Sequence, residues 1–243
     1  MKIISLNTWS GIVYEPFKAF FRQYQDVDVF CLQEIYSKAI GKDEPHPTLD
    51  MKLDIYEQIE EWLTDTHVGY FRPAHADYYG QAIFIKKEIA VEEEGSRGIY
   101  ENREPKKRGE HSRNLHYVRV NLNGKPTVLI NLHALWNGMG KTDTEDRISQ
   151  SKKIHEFIES RTEEKIVVGD FNLNPDTESL AIVEEGMRNL IKEYGITTTR
   201  TSFYNKESKF ADYALVSSGI EVTDFKVLPE EVSDHAALYL VVS

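Results

Sequence analysis

A chain of 243 residues, 40 % hydrophobic and 28 % charged, has the length of one large domain or two small ones. It can bury a substantial core without cross-links. Its net charge of −11 excludes the broad positive face needed to coat nucleic acid by charge alone. A small anionic substrate stays open, because a bound divalent metal inverts the local field.

In chain order, strands are predicted at Lys2–Leu6 and Val27–Leu32, with a helix over Glu15–Gln25 between them. Cys31, the single cysteine, lies in the second apolar run, so no internal disulfide forms and a buried, inert thiol is expected. Ser37–Met51 carries two prolines, a glycine and mixed charge and reads as a long loop, followed by a helix over Leu53–Thr64. Strands follow at Ala82–Lys86, Leu115–Leu122 and Val128–His133. Gly95–Arg113 reads as a second long loop whose basic run, Lys106–Arg108, is either a solvated face or functional. A helix over Thr144–Ser160 carries Ile148, Ser151, Ile154 or His155, and Ile158 on one stripe. The chain closes with strand Lys165–Val168, helix Ser179–Met187, and strands Asp212–Val216, Glu221–Val227 and Ala237–Val242. Many strands, few helices and mixed connections predict a single α/β domain over residues 1–243, with two sheets packed face to face and helices outside. No stretch approaches the roughly 18 to 20 apolar residues of a membrane span, so no stable membrane association is expected. The N-terminus lacks the apolar length of a secretory signal, and a cytoplasmic location is expected.

Residues able to do chemistry recur at strand ends. In Gly169-Asp170-Phe171-Asn172, extended alternation would put Asp170 and Asn172 on one side, a proton acceptor beside an amide donor. A turn in which both bond their own backbone is the alternative. Ser233-Asp234-His235 offers an imidazole that exchanges protons near neutral pH, with Asp212 as a candidate to fix its tautomer. Asn7, Glu34 and His133 each close a strand. Convergence of such ends on one rim is how α/β folds assemble sites. The hard oxygens of Asn7, Glu34 and Asp234 suit Mg²⁺ or Mn²⁺, and the set contains no thiolate for zinc.

The series Leu6-Asn7-Thr8-Trp9, Leu32-Gln33-Glu34, Asn131-Leu132-His133, Gly169-Asp170-Phe171-Asn172, Asp212-Tyr213 and Ser233-Asp234-His235 resembles the endonuclease/exonuclease/phosphatase superfamily. The resemblance runs in family order from Asn7 to His235. It implies a four-layered α/β sandwich of two mixed sheets with the site at one rim, and a Mg²⁺ or Mn²⁺ cofactor. By the resemblance Glu34 is the principal metal ligand, with Asn7 and Asp234 near the metal. Asp170 and Asn172 orient the attacking water and the phosphate, Asp212 holds His235, and His133 helps protonate the leaving oxygen. Arg113 lies where related enzymes carry an Arg for a phosphate oxygen; a surface ion pair is the alternative.

Two features depart from particular branches of that superfamily. Trp9 stands where AP endonucleases place an acid. Tyr79-Gly80-Gln81-Ala82 supplies no acid to support His133, leaving Gln81 or a backbone carbonyl as its partner. Trp136 could stack on a base or sugar or simply pack, and Ser202-Phe203-Tyr204 could wall the site or fill the core. The expected function is a metal-dependent phosphodiesterase or nuclease, monomeric, acting on a phosphate ester that includes DNA or RNA. A phosphatase or phosphodiesterase for a small or lipid-derived ester, and a non-catalytic scaffold, are the alternatives.

Overall fold

The computed structural model describes residues 1–42, 50–102 and 111–243. Among these the chain begins with β1 (Lys2–Asn7), a 3-10 turn at Trp9–Gly11, α1 (Tyr14–Gln23), β2 (Val29–Tyr36) and α2 (Ile55–Trp62). It continues through β3 (His67–His75), β4 (Tyr79–Lys86), β5 (Val91–Tyr100), β6 (Arg113–Leu122), β7 (Lys125–His133) and α3 (Glu145–Glu159). Then come β8 (Glu164–Asp170), α4 (Glu178–Glu184), β9 (Arg188–Asn189), α5 (Leu190–Glu193), β10 (Asp212–Val216), β11 (Val222–Val227) and β12 (Leu238–Val242). The strands form two six-stranded sheets, ordered β11-β12-β1-β2-β4-β3 and β5-β6-β7-β8-β10-β9. Each has one parallel pair at its centre, β1 with β2 and β7 with β8, so both sheets are mixed, as expected.

Alternation along the strands builds two apolar layers. Ile3, Val29 and Cys31 face the cluster shared by the two sheets. Ile4, Leu6, Phe30 and Leu32 face the outer cluster, where they meet Phe17, Phe20 and Phe21 of α1 and Ile55 and Ile59 of α2. Burial pushes the Cys31 thiol up, consistent with an inert core residue. Buried polar bridges cross between the sheets, among them Gln33 Nε2, which donates to Asn131 Oδ1 at 2.6 Å. Asn131 Nδ2 in turn donates to the carbonyls of Leu32 and Ala82.

Some elements differ from expectation. β3, β5, β9 and α5 were not anticipated. β3 and β5 are sheet edges, and their sequences, with Pro73 in one and three consecutive glutamates in the other, lack the apolar pattern of an interior strand. Gly95–Arg113 is therefore not one loop: β5 runs to Tyr100 and β6 starts at Arg113. Lys106–Arg108 lies outside the described residues, as do residues 43–49 of the first long loop. The buried stripe of α3 is Arg147, Gln150, Ser151, Ile154 and Ile158, one position off the expected stripe at its start. The polar Arg147 and Gln150 face inward because backbone carbonyl and amide groups of the preceding loop meet them there.

Candidate active site

Topology alone gathers the strand ends. β1 and β2 run parallel, with Asn7 ending β1 and Glu34 near the end of β2; β7 and β8 run parallel and finish at His133 and Asp170, which are in register. β10 is antiparallel to β8, so it begins on the same rim, with Asp212 opposite Asp170. β6 is antiparallel to β7, which brings Arg113 there, and the turn before β12 delivers Asp234 and His235. The rims of the two sheets meet through Asn7, whose Nδ2 donates to Glu34 Oε1 at 3.1 Å and to Asp170 Oδ2 at 3.0 Å. The Trp9 amide donates to Asn7 Oδ1 at 3.0 Å, which fixes the orientation of that side-chain amide.

Glu34 reaches this point through a backbone irregularity. It follows the inward-facing series Val29, Cys31, Gln33, so plain alternation would send it to the opposite face. The register between β2 and β4 slips between Gln33 and Ile35, and Glu34 has a left-handed φ of 57°. A bulge of this kind re-aims one side chain. Burial, then the nearby Asp234 carboxylate, pushes Glu34 up to about 7 despite the Asn7 hydrogen bond.

Asp170 closes β8. Its Oδ1 accepts from the Asn172 backbone amide at 2.9 Å, and its Oδ2 lies 3.8 Å from His133 Nε2 and 3.7 Å from His235 Nε2. The strand stops at Asp170, so Asn172 is not placed by the expected alternation. Its left-handed backbone, φ 53°, turns it back, and its Nδ2 donates to the Ala134 carbonyl at 3.2 Å. Non-glycine residues held in this region carry strain, and such strain clusters at functional sites. Gly169 has no alternative here: with φ 141°, a Cβ would sit 2.0 Å from the Leu132 carbonyl oxygen.

Asp212 holds His235 as expected, with Nδ1 2.9 Å from both carboxylate oxygens. An ionised Asp212 only accepts, so it places the proton on Nδ1 and turns the Nε2 lone pair toward Asp170. Burial, reinforced by Arg200, pushes His235 down to about 3, and burial pushes Asp212 up to about 6 against Arg200 and Lys141. His133 Nε2 lies 3.9 Å from Glu34 Oε1. Burial, then Arg113, holds His133 well below its usual value. Gln81 is not its partner: Gln81 Nε2 donates to the carbonyl and side-chain oxygens of Asn114. Arg113 opens β6 and is buried within the field of Glu34 and Asp170.

Two residues of the site were not anticipated, Lys141 and Arg200. Lys141 is buried in the loop after β7, close enough to Asp170, Asp212 and Asp234 for each to act on its charge. Arg200 Nη1 lies 3.4 Å from Asp234 Oδ2, and its guanidinium stacks 4.0 Å from the Tyr204 ring centroid. Residue 200 also bridges to His235 through the backbone. The Gly138-Met139-Gly140-Lys141 run ahead of a helix was a readable signal; Arg200 carried none. Tyr204 walls the site, whereas Ser202 hydrogen-bonds Glu231 and Phe203 is exposed. Trp136 is half-buried, with Lys206 5.3 Å from its ring centroid.

The donors present fit a hard divalent cation. Glu34, Asp170 and Asp234 converge closely enough to raise Glu34, and all offer oxygen. Asp170, Asp212 and His235 also place ligand atoms within 4.8 Å of one another, a second group that could hold a metal ion. In that group both Asp212 oxygens already face His235 Nδ1–H, which favours the first.

No curated protein matches the chain significantly. Among solved structures, a mannosyl-6-phosphatase of Bacteroides thetaiotaomicron superposes with a TM-score of 0.76 at 17 % identity, covering 100 % of this chain and 99 % of that one. An endonuclease/exonuclease/phosphatase family protein of Leptotrichia buccalis gives the same TM-score, identity and coverage. Humanized D. rerio TDP2 gives 0.73 at 17 %, covering 100 % and 98 %. At these identities the likeness establishes the fold, the α/β sandwich with paired mixed sheets. The family profile for Endonuclease/Exonuclease/phosphatase matches residues 4–235, and the chain therefore belongs to that family of phosphoester hydrolases.

Proposed function

We propose that the chain hydrolyses a phosphate ester in one step, by attack of a water activated between Asp170 and His235. The observation that carries this reading is the line Asp212–His235–Asp170, with Nδ1 2.9 Å from Asp212 and Nε2 3.7 Å from Asp170. Asp212 orients the imidazole, whose Nε2 accepts the water's proton, and Asp170 positions the water as a hydrogen-bond acceptor. Asn172 keeps one amide hydrogen for a phosphoryl oxygen, and Arg113 supplies a cation beside it. His133, on the Glu34 side of the site, hydrogen-bonds the leaving oxygen; burial and Arg113 keep the free imidazole neutral, so the substrate phosphate has to raise its pKa before it passes on a proton. Glu34 and Asp234 would hold Mg²⁺ or Mn²⁺, with Asn7 fixing Glu34; when bound, such an ion stabilises charge on the phosphoryl oxygens.

The finer proposal is a phosphodiester of DNA or RNA. The rim offers aromatic faces beside cations, Trp136 with Lys206 and Tyr204 with Arg200, an arrangement suited to bases and phosphates. A small phosphomonoester is the second reading, favoured by the net charge of −11 and by the fold similarity to a protein named as a mannosyl-6-phosphatase. Hydrolysis of a chromogenic diester and the matching monoester in Mg²⁺, Mn²⁺ or EDTA separates them. Metal-dependent diester cleavage supports the first, monoester preference the second, and no cleavage of either contradicts the proposal.

A further inference from the structure

The loop between β7 and α3 is braced well beyond what a connection needs. It turns through Gly138 and Gly140, both at left-handed φ. Arg147, 1 % exposed, turns its guanidinium on the loop's own carbonyls: Nη1 donates to Thr142 O at 2.6 Å and Nη2 to Gly140 O at 2.7 Å. The Asn174 amide donates to Lys141 O at 2.9 Å, and the Asp143 carboxylate accepts from the Glu178 and Ser179 amides. The backbone on either side of Lys141 is thus fixed by three separate elements.

At the end of this rigid support, the Lys141 ammonium has no hydrogen-bond partner among the described residues, although the residue is only 3 % exposed. It lies in the field of Asp170, Asp212, Asp234 and Arg200, and 5.8 Å from the Tyr204 ring centroid, yet bonds none of them. Burying an ammonium with three unused donors is costly, and so is freezing a lysine side chain. The missing partner has to accept hydrogen bonds and carry negative charge. A phosphoryl group meets both needs, and lysine binds phosphate as a point charge.

We propose that Lys141 binds a non-bridging oxygen of the substrate phosphoryl group, completing with Arg113 and Arg200 a cationic lining around the acids of the site. This rests on the phosphate-ester reading above. The test is calorimetric titration of inorganic phosphate into parent, Lys141→Met and Lys141→Arg in one Mg²⁺-saturated buffer, with KM and kcat for the cleaved chromogenic ester. Loss of one charge-assisted bond should weaken phosphate binding and raise KM roughly 10- to 100-fold in Lys141→Met, with partial recovery in Lys141→Arg. The melting temperature of Lys141→Met should not fall, because a buried unpartnered charge is removed. If Lys141→Met fails to fold, Lys141→Gln carries the same readout. Phosphate affinity equal to the parent's in the folded variant, or no phosphate binding by the parent, overturns the assignment. Parent turnover with unchanged phosphate affinity in the variant would sink this inference alone. Lys141-dependent phosphate binding without turnover of any ester would sink the hydrolase reading and leave this one standing.

Discussion

Gln33 of β2 donates to Asn131 of β7 at 2.6 Å, a buried side-chain bond that ties one sheet to the other directly behind the site. Glu34 follows the donor and His133 lies two residues past the acceptor, so this bridge helps set their separation of 3.9 Å. Asn131→Leu removes the shortest bond of Gln33 Nε2, which keeps the Cys31 carbonyl at 3.1 Å, and takes the Nδ2 donor from the Leu32 and Ala82 carbonyls; it should cost about 1–3 kcal/mol by urea unfolding. The double variant with Gln33→Leu should cost less than the sum of the single changes. Additive costs would show that the two side chains are not coupled.

Gly169→Ala should be far more damaging than an ordinary glycine substitution. Its Cβ would meet the Leu132 backbone, which cannot rotate away, and the strain falls between His133 and Asp170. A loss of at least about 3 kcal/mol, or failure to fold, is expected, since left-handed strain and overpacking add. Alanine at this position with parent-like melting and turnover would contradict the backbone geometry described.

Glu34→Gln should separate stability from metal response. Removing one of several crowded carboxylates relieves repulsion, so the variant in EDTA should melt at or above the parent temperature. Parent melting should rise with added Mg²⁺ or Mn²⁺, because an ion that binds only the folded chain stabilises it. Glu34→Gln should lose most of that rise. An undiminished rise would move the metal away from Glu34.

Acid sensitivity should come partly from His67, remote from the strand-end site. Its Nε2–H donates to the Val27 carbonyl at 2.9 Å, and burial lowers its pKa below 6.5. A base lowered on folding binds fewer protons folded than unfolded between its two pKa values, so stability rises with pH across that window. The contribution is complete above about 6.5 and is lost as pH falls below it. Because Glu34 and Asp212 titrate with the opposite sign in this range, the readout is the difference: from pH 8 to 5 the urea midpoint of the parent should lose more, or gain less, than that of His67→Gln. Equal slopes would remove His67 from the account.

Much of the site was legible because chemistry-bearing residues stand where apolar runs stop: Asn7, His133, Asp170 and Asp212 each end or begin a strand, and His235 lies in the turn before β12. The position of Glu34 was legible, but its direction was not, since a bulge is set by pairing with β4 and leaves no periodic mark. Asn172 likewise depends on a left-handed backbone that the pattern could not specify. Lys141 and Arg200 come from loops: a glycine-bearing run marks the first in the sequence and nothing marks the second, and their place beside the acids shows only in three dimensions. The edges β3 and β5 were missed because their polar, proline- or glycine-bearing sequences resemble loops by design of exposed edges.

The most direct test of the central claim is turnover of the cleaved chromogenic ester in saturating metal by parent, Asp170→Ala and His235→Ala, each checked for folding by melting. Loss of a preorganised catalytic group typically costs on the order of 10² to 10³ in rate, and each variant should lose at least that much kcat while staying folded. A folded Asp170→Ala or His235→Ala with near-parent kcat would contradict water activation between these two residues.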